Sequence, residues 1–152
     1  REGPFGIGSF QKFINHDPKE NYFTLYSENK SSLFFVFIFD FLILNTDRKA
    51  GSILIDDEKK IWAIDQALAF NPNTRFRTVM FEYNNQLIEG KILNKINELL
   101  EMIENKEEIF KNLSNCISED EIDSLKKRCK TLLKHKKLPK LDPYYNVPYP
   151  LI

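Results

Sequence analysis

Two β-branched runs, Ile53-Leu54-Ile55 and Ile61-Trp62-Ala63-Ile64, stand on either side of the polar stretch Asp56-Asp57-Glu58-Lys59-Lys60. Branched and aromatic side chains favour a pleated strand, and a charged stretch between two such runs reads as the tip of a β-hairpin. Paired strands of similar length start and finish together, so the hairpin carries Ser52 and Asp65 side by side at its open ends. Immediately before it lies Asn45-Thr46-Asp47-Arg48-Lys49-Ala50-Gly51-Ser52. Asp47 and Asp65 are thus each set at the edge of an apolar segment, with a short folded stretch between them.

The run from Leu33 to Leu44 is almost wholly apolar and contains Asp40. Its length without Gly or Pro and its Ser31-Ser32 start favour a buried helix over 30–44, ended by Asn45-Thr46-Asp47. It is well short of the ~20 residues needed to span a bilayer, so no transmembrane segment is expected. Asp40 needs a buried partner, because an unpaired carboxylate inside an apolar core is too costly. Upstream, Gly3, Pro4, Gly6 and Gly8 make a turn-rich start, and Ser9 to Ile14 alternates apolar and polar residues as a strand does. Asn15 to Glu20 breaks that pattern into a connector.

Downstream, Ile92, Ile96, Leu99, Leu100 and Ile103 recur at helical spacing. Ser118-Glu119-Asp120-Glu121 matches a capping box and opens a segment with Ile122, Leu125, Cys129, Leu132 and Leu133 on one face. The lysines and Arg128 between 126 and 137 read as the solvated side of that helix. Pro139, Pro143, Pro148 and Pro150 with Tyr144, Tyr145 and Tyr149 form an extended tail, expected to pack back on the domain because such a tail needs apolar support to be ordered. The expected fold is α+β, mainly helical, in a single domain over 1–152: a strand and connector over 1–20, a core over 30–70, helices over 91–137 and the tail over 138–152.

With 152 residues, of which 42% are hydrophobic, the chain can bury one core. Lysine plus arginine equals aspartate plus glutamate at 22 each, so no global field draws it to nucleic acid. Cys116 and Cys129 show no CxxC pairing and no ligand-like clustering with His16 and His135, which reads as reduced thiols in a cytoplasmic protein. No signal-peptide core follows the first residues, and the missing initiator Met suggests a fragment.

One carboxylate that orients a hydroxyl and one that holds magnesium are what a phosphoryl-transfer site needs. Asp47-Arg48-Lys49-Ala50-Gly51-Ser52 resembles the catalytic loop of the phosphatidylinositol 3- and 4-kinase superfamily, an Asp-Arg-His-x-x-Asn pattern, and Ile64-Asp65-Gln66-Ala67 resembles its metal-binding Asp-Phe-Gly segment. More closely, the chain resembles a bacterial family of uncharacterised kinase-like proteins with an Asn-Asn-x-Asp-Arg-Lys-Gly-Gly-His loop and a later Ile-Asp-His-Gly. The blocks that carry this likeness are Arg1 to Gln11, Leu44 to Leu54, Trp62 to Phe70, Arg77-Thr78-Val79 and Pro139 to Pro150.

The resemblance implies a kinase-like carboxy-terminal lobe whose cofactors are ATP and Mg2+. Asp47 would orient or deprotonate an acceptor hydroxyl, with Asn45, Arg48 and Lys49 beside it in the catalytic loop. Arg48 would hold the loop by pairing with a carboxylate such as Asp40. Asp65 and Ser52 would be the metal ligands, and Gln11, Phe13 and Ile14 would border adenine. Arg77 and Thr78 are open between a structural clasp and ligand binding, and Lys49 between substrate contact and a solvated cation. Taken singly, Asp47 reads more readily as a helix-ending turn residue and Asp65 as a strand end than as functional carboxylates.

Ser52 for Asn or His, Gln66 for His or Phe and Ala67 for Gly depart from the pattern, which predicts weaker metal binding. The phosphate-gripping lysine of an amino-terminal lobe is not found in this sequence, so the chain is expected to be part of a longer kinase or a degenerate relative, inactive by itself. The acceptor, whether protein, lipid or small molecule, is left open. The alternative is a non-catalytic pseudokinase, or a module that binds nucleotide or a partner.

Overall fold

The computed structural model describes residues 2–8 and 11–152. Among them are four α-helices and two small antiparallel hairpins, an α+β and mainly helical fold as expected. The first hairpin pairs β1 (Glu2–Gly3) with β2 (Gly6–Ile7). Gly6 takes a φ of +102°, a conformation that side chains with a Cβ resist, and so lets the chain reverse after Pro4-Phe5.

The alternating stretch 9–14 does not become a strand where the structure describes it. Ser9 and Phe10 lie outside the described residues, and Gln11 to Ile14 forms no regular element and pairs with nothing in a ladder. Alternation supplies the two faces of a strand and no neighbour to bond its backbone. Only Ile14 of this segment turns inward.

Helix α1 spans Tyr22–Ile43, eight residues earlier in its start than the apolar run suggests. Asn21 caps it by accepting from the Phe23 amide, and the Thr24 side chain accepts in return from the Asn21 amide. At Asn29 the backbone leaves helical geometry, with φ −119° and ψ 22°, so the segment that the sequence marks with Ser31-Ser32 is a second helical stretch beyond a kink. Leu33, Phe34, Phe37, Ile38 and Leu42 enter the core, where the Phe37 ring meets Phe76 and Tyr83 edge-on. A helix apolar around most of its circumference belongs inside a domain. No helix among the described residues is long and apolar enough to cross a membrane.

The second hairpin is the one expected from sequence. Strand β3 (Ile53–Ile55) pairs with β4 (Ile61–Ala63) in the register Ile53 to Ala63, Leu54 to Trp62 and Ile55 to Ile61. The ladder is prolonged by the Ile64 amide, which donates to the Ser52 carbonyl at 3.0 Å.

Helices α2 (Gly90–Glu104), α3 (Glu108–Ser114) and α4 (Glu119–His135) close the domain. The capping box at Ser118 forms, with Glu121 reaching back to the Ser118 amide. Ile122, Leu125, Cys129 and Leu132 are buried as the periodicity predicts, while Cys116 is exposed. Arg128 is not on a solvated face. Its Nε donates to the Leu42 carbonyl at 2.7 Å, filling an acceptor that the end of α1 leaves open, and burial lowers its pKa to about 10.

The tail packs back as expected, though through its backbone and apolar residues rather than its tyrosines. Leu138 and Leu141 are buried, whereas Tyr144, Tyr145 and Tyr149 are exposed.

Candidate active site

The site is assembled where α1 runs out. Leu44 takes a left-handed conformation, φ 54° and ψ 55°, which turns the chain sharply out of the helix, and the Asn45 amide donates back to the Asp40 carbonyl at 2.8 Å. Asp40 and Arg48 are fully buried, and they meet as a two-pronged ion pair: Nε to Oδ2 at 2.7 Å and Nη2 to Oδ1 at 2.9 Å. Asn45 donates its side-chain amide to the same Oδ1 at 3.0 Å. A planar guanidinium matches a carboxylate with two parallel bonds, the geometry in which a buried charge pair is best satisfied.

Nη1 of Arg48 reaches in the other direction. It donates to the Ser52 carbonyl at 3.1 Å and to the Ile64 carbonyl at 2.6 Å. One buried side chain therefore binds the helix end, the loop and the exit of the hairpin. Being sealed from solvent, Arg48 is a positioning residue and cannot touch a substrate.

Its sequence neighbours face outward. Asp47 and Lys49 are each about a quarter exposed, and their carboxylate and ammonium pair at 3.1 Å. The Asp47 amide donates to the Asn45 side chain at 3.1 Å, fixing the turn. Asp65 is exposed and held at φ 59°, with another left-handed residue, Phe70, shortly after it. Non-glycine residues in this conformation cost free energy and persist only where the surroundings impose them. Here the imposition is visible: Phe70 donates its amide to Ile43 at 2.6 Å and Thr46 donates its amide to Leu68 at 2.9 Å, so the stretch after Asp65 is tied to both sides of the turn out of α1.

A second support comes from residues 76–79. Arg48 and Thr78 form an isolated parallel bridge, the Arg77 amide donates to the Asn45 carbonyl at 3.3 Å, and Arg77 Nε donates to the Thr46 carbonyl at 2.8 Å. Arg77 is thereby a clasp. The tail adds a third support, because Thr78 donates to the Asn146 carbonyl and Ala50 to the Leu151 carbonyl, both at 2.8 Å.

The metal-ligand pair of the sequence reading, Ser52 and Asp65, is brought to the open end of the hairpin, with Ser52 buried and Asp65 exposed. Among the described residues no three His, Cys, Asp or Glu side chains gather where an ion could be held. That donor set suits magnesium arriving with phosphates and keeping most of its water, since this ion commonly takes only one or two protein carboxylates.

Of the residues expected to border adenine, Phe13 and Ile14 line a cleft of about 330 Å³ with Lys12, Asn15, Trp62 and the hairpin tip. Gln11 is exposed and does not line that cleft. Asn15 donates to Asp57 at 2.8 Å, and Lys12 and Lys60 lie 4.7 and 4.2 Å from the Trp62 ring centre.

The cleft offers its own reporter. The Trp62 indole donates to Asp56 at 2.8 Å, and this bond, followed by the Lys60 and Glu58 amides, holds the Asp56 pKa below its ordinary value. A depressed carboxylate stabilises the fold above its unfolded pKa, and that contribution is lost as pH falls through the folded one. The indole N–H signal of Trp62, the only tryptophan, should therefore titrate with a midpoint below about 3.9, the ordinary aspartate value. Asp56→Asn should abolish that step, and a midpoint at or above the ordinary value would contradict the bond.

No protein-family model and no solved structure matches this chain. Among curated proteins, 113 of its residues are 27% identical to Protein Rv2133c of Mycobacterium tuberculosis (strain ATCC 25618 / H37Rv). The match takes in 74% of this chain and 40% of that protein, so the chain spans well under half the length of its relative.

Proposed function

We propose that this chain carries the catalytic lobe of an ATP- and magnesium-dependent phosphotransferase of the phosphatidylinositol 3-/4-kinase-like type, working in the cytoplasm. The observation that carries the reading is the reach of Arg48. It lies next to Asp47 in the chain and bonds the carbonyl of Ile64, the residue before Asp65, so one buried guanidinium fixes the backbone beside both carboxylates. Two carboxylates, one beside the acceptor and one beside the nucleotide's phosphates, are what such a transfer needs.

In this reaction the acceptor's hydroxyl oxygen bonds to the γ-phosphorus of ATP, the bond from that phosphorus to its bridging oxygen breaks, and ADP leaves. Asp47 orients the hydroxyl and takes its proton. Lys49, paired with Asp47 at 3.1 Å, would exchange that contact for a transferring phosphoryl oxygen. Asp65, with Ser52 at the same open end of the hairpin, would hold magnesium, whose charge would offset that of the phosphates. Phe13, Ile14 and Trp62, which line one cleft, would receive the base.

A second reading, a pseudokinase that binds nucleotide without turnover, is favoured by the buried serine at the second metal position. The experiment is magnesium-dependent ATP turnover, autophosphorylation included, by the longest reading frame containing this chain, with Asp47→Ala and Asp65→Asn alongside. Turnover lost in both variants while nucleotide still binds to Asp47→Ala supports the kinase. Nucleotide binding without turnover in the parent chain supports the pseudokinase, and turnover indifferent to Asp47 rejects both roles assigned to it.

A further inference from the structure

Beside the Asp47 loop lies a cavity of about 400 Å³ that belongs to neither the hairpin nor the cleft at Trp62; it is lined by Thr74, Arg75, Arg77, Tyr144, Tyr145 and Val147. It opens to solvent, and the exposed Arg75 and half-buried Arg77 line it with no carboxylate beside them. Arg77 spends its Nε on the Thr46 carbonyl, which anchors it one residue from Asp47, and its two terminal nitrogens have no hydrogen-bond partner among the described residues. The Arg75 guanidinium lies 5.7 Å from the Tyr145 ring centre and likewise has none. Phe76 between them is buried, while both arginines line the pocket.

We propose that this cavity is the acceptor subsite of the phosphotransferase and that the acceptor carries a phosphate monoester. The assignment of the subsite to an acceptor rests on the kinase reading; the anion site does not. A carboxylate brings two oxygens and a single charge, which one two-pronged arginine already matches. Two unspent guanidinium groups in one cavity without a counter-charge call for an anion with three accepting oxygens and close to two charges, which a phosphate monoester supplies. The exposed rings of Tyr144 and Tyr145 form a ledge beside it for the uncharged part of the acceptor. Arg77, fixed through Thr46, then sets the distance between the bound phosphate and the hydroxyl presented to Asp47.

The test is direct binding, read from the side-chain Nε–Hε NMR signals of arginine as inorganic phosphate is added, against sodium chloride at matched ionic strength. The signals of Arg75 and Arg77 should shift saturably with phosphate and not with chloride. Arg75→Ala should weaken phosphate binding by about tenfold, since hydrogen bonds between charged partners are the strong ones. Lys95→Ala, which removes one exposed charge from α2, should leave it unchanged. No saturable shift, an equal response to chloride, or indifference to Arg75→Ala overturns the proposal.

Two further probes identify the source. Tighter binding to phosphatidylcholine vesicles bearing phosphatidic acid than to glycerol 3-phosphate assigns a lipid-borne monoester; the reverse order, or equality, assigns a soluble one. Phosphate binding in a chain whose longest frame shows no turnover removes the acceptor role and the kinase reading together while keeping the anion site. Turnover without phosphate binding removes only the subsite.

Discussion

Arg48→Met should lower the free energy of unfolding by about 3–5 kcal/mol, the range found when one partner of a buried ion pair is removed. The substitution leaves Asp40, fully buried, with the Asn45 amide as its one side-chain donor, and it strips the Ser52 and Ile64 carbonyls of the same nitrogen. Chemical denaturation monitored by circular dichroism reads the loss. Asp40→Leu combined with Arg48→Met should recover much of it, because replacing both charges with apolar groups removes the desolvation penalty that a lone carboxylate carries. The double variant should nevertheless lose the fixed relation between the loop and the hairpin exit. On the proposed phosphotransferase reading, its stability and its turnover would then separate, whereas a loss below about 1 kcal/mol in the single variant would mean that the pair is no more than a surface contact in energy.

The second large effect is expected at Phe37. Its ring is fully buried on α1 and sits edge-on to Phe76 at 5.4 Å and to Tyr83 at 5.7 Å between ring centres. Phe37→Ala should cost about 3–5 kcal/mol by loss of transferred surface and by the cavity left behind. Aromatic edge contacts add about 0.5–1.5 kcal/mol beyond area, so the upper part of that range is expected. Phe37→Leu, which keeps most of the volume, should cost well under half as much. Equal losses in the two variants would show that the site collapses around the gap, contrary to the packing described.

Much of this architecture could be read from the chain because local chemistry and global packing agree in it. The hairpin followed from two branched runs around a charged tip, and α4 from a serine and a glutamate three residues apart. That Asp40 has a buried partner could also be anticipated, since a carboxylate in an apolar run demands one, and Arg48 as that partner is what the resemblance of the loop implies. Other features escaped for physical reasons. The first turns of α1 carry few apolar residues in register, and Asn21 with Thr24 was the available signal for where the helix starts. Residues 11–14 alternate as a strand does, yet pairing depends on a neighbour that alternation does not specify. The lysines around Arg128 point it to solvent, whereas its contact with Leu42 comes from the crossing of α4 and α1. The cavity at Arg75 and Tyr145 is built from residues distant in the chain, so no local pattern announces it.

The tail has a consequence for synthesis. The loop bearing Asp47 receives backbone bonds from the segment around Thr78, which is itself bonded to Asn146, while Ala50 is bonded to Leu151. Chains emerge from the ribosome amino end first, and contacts between distant positions form late. The loop is therefore translated early but acquires its last supports only after residue 151 has been made. A nascent chain interrupted in the proline-rich stretch would keep the Arg48 pair and lack the tail's bonds, so the order of synthesis itself delays the moment at which the turn between Asp47 and Asp65 is fully held.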